Sequence, residues 1–128
     1  TNIEDAVTFA NQSNIDAMAI SVGNTHLQTS KKASIDFNKI NLIEAKTKIP
    51  LVLHGSSGIP VEQRKKLARK TKVAKLNIGT EIRMTFGEAL RKNLKNNPKT
   101  YDRLQLLKPT IKDLTKVTKK IIKQIGPN

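Results

Sequence analysis

Apolar residues along this chain follow two different patterns. Three short runs are nearly continuous: Ala17-Met18-Ala19-Ile20-Ser21-Val22, Ile49-Pro50-Leu51-Val52-Leu53 and Val73-Ala74-Lys75-Leu76-Asn77-Ile78. Each is too short for a helix and is bounded by punctuating residues, which predicts strands. The middle run is apolar at every position from Leu51 to Leu53, as expected of a strand buried on both faces in a parallel sheet. Elsewhere the apolar residues recur at helical spacing. One helix is predicted from about Ile3 to Ser13, capped by Asn2 or Thr1, with Ala6, Val7, Phe9 and Ala10 inward. A second opens at Asp36 and carries Phe37, Ile40, Ile43 and Ala45 on one stripe. A third runs from Pro60 to about Lys70 with Val61, Leu67 and Ala68 inward, and a fourth, capped by Thr80, runs from Glu81 to about Leu94. The last begins near Pro109, with Ile111, Leu114, Val117, Ile121, Ile122 and Ile125 on one face and lysines on the other. Leu27 to Ser34 has no period and is long for a connection, which favours a working loop, while Asn96 to Thr100 reads as a turn.

Helix and strand alternate throughout, so the expected class is α/β with βαβ units and a parallel sheet. Three strands are few for this class, and in a closed (β/α)8 barrel they would be three units of eight. The chain therefore reads as part of a barrel, one unit over residues 1–128 with no second domain. It begins at Thr1 rather than methionine, the start expected of a piece or a trimmed product. Aromatic residues are only 3%, so Ile, Leu, Val and Ala must build the core. No cysteine is present, which excludes disulfides and thiolate metal sites. No apolar run approaches the roughly 20 residues needed to cross a bilayer, and no signal-peptide pattern opens the chain. A soluble, cytoplasmic protein without a membrane partner is expected. The net charge of +14 favours contact with polyanions. Its lysines, however, spread over helix faces, and a single tyrosine, Tyr101, leaves no platform for stacking bases. Nucleic acid is not the expected partner.

Each predicted strand ends in a polar group beside a glycine-containing turn: Gly23-Asn24-Thr25-His26, His54-Gly55-Ser56-Ser57-Gly58 and Asn77-Ile78-Gly79-Thr80. In parallel α/β folds ligands sit at these carboxyl ends. Both histidines of the chain lie there. They are either two ligands to one zinc ion or two structural histidines bonded to backbone. A catalytic zinc would need a third protein ligand, and the sequence has no further His or Cys. The two Gly/Ser/Thr turns offer hydroxyls and N–H groups to a phosphate, or are ordinary turns. Lys75, if buried, could form a Schiff base with a ketone; the alternative is an ion-paired structural lysine.

These residues resemble a family. The strand leading into His54-Gly55-Ser56-Ser57-Gly58-Ile59-Pro60, followed by Val73-Ala74-Lys75-Leu76-Asn77-Ile78-Gly79-Thr80-Glu81-Ile82-Arg83, is similar to the carboxyl-terminal part of the class II, zinc-dependent fructose/tagatose-bisphosphate aldolases. The resemblance reaches upstream to Ile15–Ile20, Gly23, His26 and Ser34–Phe37, and downstream to Asn97-Pro98 and Leu107-Lys108-Pro109. It implies a TIM barrel of which this chain supplies the last three units and a C-terminal helix. The implied activity is reversible aldol cleavage of a ketose bisphosphate to dihydroxyacetone phosphate and glyceraldehyde 3-phosphate. The implied site has His26 and His54 on the catalytic zinc and Gly55, Ser57, Asn77, Gly79 and Thr80 on the phosphorylated sugar. A monovalent cation and a homo-oligomeric full enzyme belong to the same expectation. The catalytic aspartate and the third zinc histidine have no counterpart here, so the 128-residue chain alone is expected to be inactive. A phosphate-binding or interaction remnant of the barrel is the alternative.

The sequence departs from the family pattern at three places. Leu27 stands where a glycine usually follows the first histidine, Thr29-Ser30-Lys31 replaces a Tyr-Lys-Gly motif, and Lys72 replaces a glycine before the third strand.

Overall fold

The strand Leu51–Leu53 is β2, and the other two strands flank it. The computed structural model describes residues 1–126, so the last two positions of the expected 1–128 unit lie outside it. β1 (Met18–Ile20), β2 and β3 (Val73–Leu76) form a parallel sheet in the order β1-β2-β3. Met18 pairs with Leu51, which pairs with Val73, and Ile20 pairs with Leu53, which pairs with Leu76. An irregularity at Leu51/Val52 shifts the β2–β3 register by one residue, so that Val52 faces Lys75.

One face of the sheet carries the core. Met18, Ile20, Leu51, Leu53 and Val73 are buried with Ala6 and Ala10 of α1 (Ile3–Gln12), Ile40 and Ile43 of α2 (Phe37–Lys46) and Leu67 of α3 (Val61–Lys70). Asn2, rather than Thr1, caps α1 by accepting the N–H bonds of Glu4 and Asp5, and Asp36 caps α2 by accepting that of Lys39. On the other face of the sheet, Ala19 and Lys75 are exposed. β2 is buried at all three positions, as its apolar run predicts.

Several expectations shift by a residue or a helix face. β1 excludes Ala17, Ser21 and Val22, although Val22 stays buried. β3 stops at Leu76, yet Asn77 N–H still donates to the Leu53 carbonyl at 2.9 Å, so the ladder outlasts the strand. Phe9 and Ala45 are exposed, because α1 and α2 each bury residues three and four apart: Ala6 and Ala10, then Ile40, Ile43 and Thr47 just past the helix end.

The chain continues as helices. α4 (Thr80–Asn96) starts one residue earlier than expected, with Gly79 at its N-cap; the Thr80 hydroxyl does not cap it. A short helix not expected from the sequence, α5 (Arg103–Leu107), follows the turn expected from Asn96 to Thr100 and is capped by Asp102, whose carboxylate accepts the N–H bonds of Leu104 and Gln105. α6 (Thr110–Ile125) packs against α3, α4 and α5. Its apolar stripe is wider than the surface it meets: Ile121 is buried, whereas Ile111 and Ile122 are 60% and 57% exposed. Among the described residues no helix is long and apolar enough to cross a membrane.

Candidate functional site

Parallel strands deliver their carboxyl ends to one edge, and backbone geometry brings the three turns there into contact. Gly55 leaves β2 with φ 64° and ψ 22°, a left-handed conformation that glycine adopts without steric cost. A Cβ at Gly55 would stand 2.4 Å from the Thr25 carbonyl oxygen, so the glycine also lets the turn after β1 lie directly on the turn after β2. Asn24 ties the same two turns. Its Oδ1 accepts the Val22 N–H at 2.7 Å, and its Nδ2 donates to the His54 carbonyl at 2.9 Å.

The two histidines therefore meet. Their ring centroids are 5.7 Å apart and inclined at 35°. With metal–nitrogen bonds of about 2.0–2.1 Å and tetrahedral angles, two imidazoles sharing one ion stand on the order of 5 Å apart, so this pair suits a single divalent cation. Asn77 Nδ2 lies 3.1 Å from His54 Nδ1. The same Nδ2 lies 3.4 Å from His54 Nε2, so Asn77 sits against both ring nitrogens and holds the ring in place rather than selecting one tautomer. Among the described residues no cluster of three His, Cys, Asp or Glu completes a metal site.

Beyond Gly55, residues Ser56–Gly58 form a single 3-10 turn leading to Pro60 and α3. The buried Ser57 hydroxyl accepts the Glu81 N–H at 3.1 Å, so the β2 turn supplies the cap that Thr80 does not. The N-terminus of α4 thereby opens beside the turn, with its partial positive charge toward the same space. All seven residues that the resemblance places in the site, His26, His54, Gly55, Ser57, Asn77, Gly79 and Thr80, line one cavity of about 430 Å³.

Lys75 is the exception among the candidates. It is exposed and does not line the cavity, and it has no carboxylate partner among the described residues. Neither a buried Schiff-base lysine nor an ion-paired one describes it, because its position places it on the sheet face opposite the core. Leu27 lies beside His26 with φ 57° and is 76% exposed. The backbone there has the conformation a glycine would favour, and leucine holds it against steric cost. Lys72 needs no such conformation.

Three groups at the site were not singled out from the sequence, although Glu81 and Arg83 stand in the stretch that resembles the family. Arg83, among the described residues the one cationic side chain lining the cavity, follows Thr80 by three residues on α4 and donates to its hydroxyl at 3.3 Å. Arg64 on α3 is fully buried and reads in the sequence as one more charge on a polar helix. Glu81 joins Arg64 to Lys31 in the loop after His26, with the Lys31 ammonium 3.1 Å from its carboxylate. Burial alone would raise the Glu81 pKa, but the Arg64 and Lys31 contacts outweigh it and hold the carboxyl below its ordinary value.

A strand-end cavity with paired histidines and hydroxyl turns can be compared with known proteins. The sequence model described as class-II fructose-bisphosphate aldolase matches residues 1–128. The chain belongs to this family. The 6-phospho-5-dehydro-2-deoxy-D-gluconate aldolase of Shouchella clausii is 34% identical over 125 residues, covering 98% of this aldolase-family chain and 42% of that protein. The sulfofructosephosphate aldolase of Alkalicoccus urumqiensis is 36% identical over 101 residues, covering 79% of this chain and 35% of that one. The crystal structure of the YdjI aldolase from Escherichia coli superposes with a TM-score of 0.76 at 26% identity, covering 98% of this chain and 44% of the other. The chain thus spans well under half the length of the curated relatives it matches.

Proposed function

We propose that the cavity is one side of an aldolase active site, acting on a phosphorylated sugar or sugar acid in a complete (β/α)8 barrel of which residues 1–128 form about the last three units. The observation that carries this reading is convergence: the seven residues come from the ends of all three strands and line one space. Ser57 and the N–H groups at Gly55 and at the start of α4 hold phosphate. The Thr80 hydroxyl is shared with Arg83, which brings a second positive group to the same anion.

His26 and His54 would hold a zinc ion, which when bound supplies Lewis acidity toward a ketone oxygen. Asn77 orients His54 and borders the substrate space. A ketose bisphosphate such as fructose or tagatose bisphosphate fits the resemblance. The names of the two relatives widen the class to other phosphorylated sugars and sugar acids.

The proton-moving carboxylate is not supplied by this segment: among the described residues no carboxylate lines the cavity. That observation favours one second reading, an anion-binding barrel segment without catalysis of its own. The test is to assay ketose-bisphosphate cleavage by the 128-residue chain with added zinc, with and without the amino-terminal part of a related class-II aldolase. Turnover only with that part, and lost to a chelator, is the expected result. No turnover in either case, with phosphate binding retained, would establish the second reading. Turnover that survives chelation would overturn the zinc reading.

A further inference from the structure

Arg64 has no exposed surface, yet it carries a charge into the interior beside the site. A guanidinium presents its N–H groups in a fixed planar fork, so a buried one is held only where acceptors match that fork. Here they do. Nε donates to the Ser56 carbonyl at 3.0 Å, Nη2 donates to the Ser57 carbonyl at 2.8 Å and to the Glu81 carboxylate at 2.6 Å, and Nη1 faces Gln124 Oε1 at 3.4 Å. Two successive carbonyls of the phosphate turn thus point at one side chain.

Across a trans peptide the N–H lies opposite the C=O. Fixing the Ser56 carbonyl on Arg64 therefore turns the Ser57 N–H away from it, and that N–H has no acceptor among the described residues. Glu81 closes the arrangement from the other side. Its carboxylate binds Arg64 and also Lys31 in the loop that follows His26, and its own N–H is held by the Ser57 hydroxyl. The same loop is tied again where Ala33 N–H donates to the Gly58 carbonyl at 3.0 Å.

We propose that Arg64 and Glu81 are positioning residues: Arg64 sets the direction of the Ser57 N–H, and Glu81 straps the loop after His26 to the same turn through Lys31. Neither touches the space where substrate would sit. The anion arm of this proposal rests on the phosphate reading above, whereas the strap does not.

Two measurements on the 128-residue chain separate these parts. In the first, hydrogen exchange is followed by mass spectrometry in Lys31→Met and Glu81→Gln. Lys31 is partly exposed and, among the described residues, its ammonium bonds only Glu81, so Lys31→Met should leave the fold intact. Exchange in residues 27–32 should quicken about tenfold in both variants, with α1 and β1 unchanged, as for the local release of one segment. Unchanged exchange in that segment in both variants overturns the strap.

In the second, inorganic phosphate is titrated into wild type and Arg64→Lys. Lysine keeps the charge but not the fork, so affinity should fall about tenfold. Equal affinity in Arg64→Lys overturns the positioning role of Arg64. If wild type binds no phosphate while the exchange result holds, the phosphate reading fails and the strap stands. If Arg64→Lys does not fold, the same titration in Glu81→Gln decides: a weakened affinity supports the role, and an unchanged one overturns it.

Discussion

The strand-bearing region, residues 1–79, and the helical region, residues 80–126, hold their shape by different means. In the first, Ile40, Ile43, Leu51, Leu53, Ile59 and Leu67 are all without exposed surface. In the second, α4 buries no residue over seventeen positions, and α6 buries only Thr110, Ile121 and Gln124. Leu104, Ile111 and Ile122 stand largely in the open. A strand–helix unit finds its burial partners within a few tens of residues, whereas the main packing partners of α4 to α6 are one another and α3. Stability therefore resides in the first region, and the second is held to it by local links. The site lies on the seam, where Ser57 of one region caps the helix that opens the other.

The widest expected gap between the regions is in core substitutions. Leu53→Ala should destabilise by about 2–5 kcal/mol, the range for deleting a buried leucine. Ile122→Ala, at an exposed position of α6, should change stability by less than about 0.5 kcal/mol. Denaturant midpoints of the two variants check this, and similar shifts would break the division. Next in size is the seam itself. Ser57→Ala should weaken binding of a phosphorylated ligand by about 1–2 kcal/mol, the scale of a hydrogen bond to a charged group. Calorimetry should find affinity for the unphosphorylated sugar unchanged; equal losses would make Ser57 purely structural.

Smaller effects sharpen the comparison inside the first region. Leu27→Gly relieves a left-handed leucine, and thermal unfolding should show a gain of up to about 1 kcal/mol, less the entropy that glycine adds to the unfolded chain. The strap should weaken in acid. The folded pKa of Glu81 lies below its unfolded value, so its contribution is complete above the ordinary carboxylate range and is lost as pH falls through the folded value. The stability difference between wild type and Glu81→Gln should therefore be level from neutrality to about pH 5 and shrink below it.

What could be read from the sequence follows the same division. The β2 run and its Gly/Ser turn were legible because burial on both faces leaves an uninterrupted apolar signature, and a turn needs particular residues at its bends. The strand-end residues that matched the family motif then converged, as the parallel topology requires. Arg64 was not legible, since a charged residue inside a charged helix gives no pattern until its acceptors are placed around it. Thr80 was misread as a cap because the competing acceptor, the Ser57 hydroxyl, comes from a turn twenty-three residues earlier. The α6 stripe announced a helix correctly but not which of its apolar residues would be covered, because that depends on the width of the surface it meets.

Calorimetric titration of Zn²⁺ into the 128-residue chain tests whether the two strand-end histidines act together on one ion. Two ligands leave the coordination shell open, so a single weak site is predicted. That site should be lost in His26→Ala and in His54→Ala, and should weaken about tenfold in Asn77→Ala, as for a residue that orients a ligand. Affinity unchanged in both single histidine variants would contradict the account.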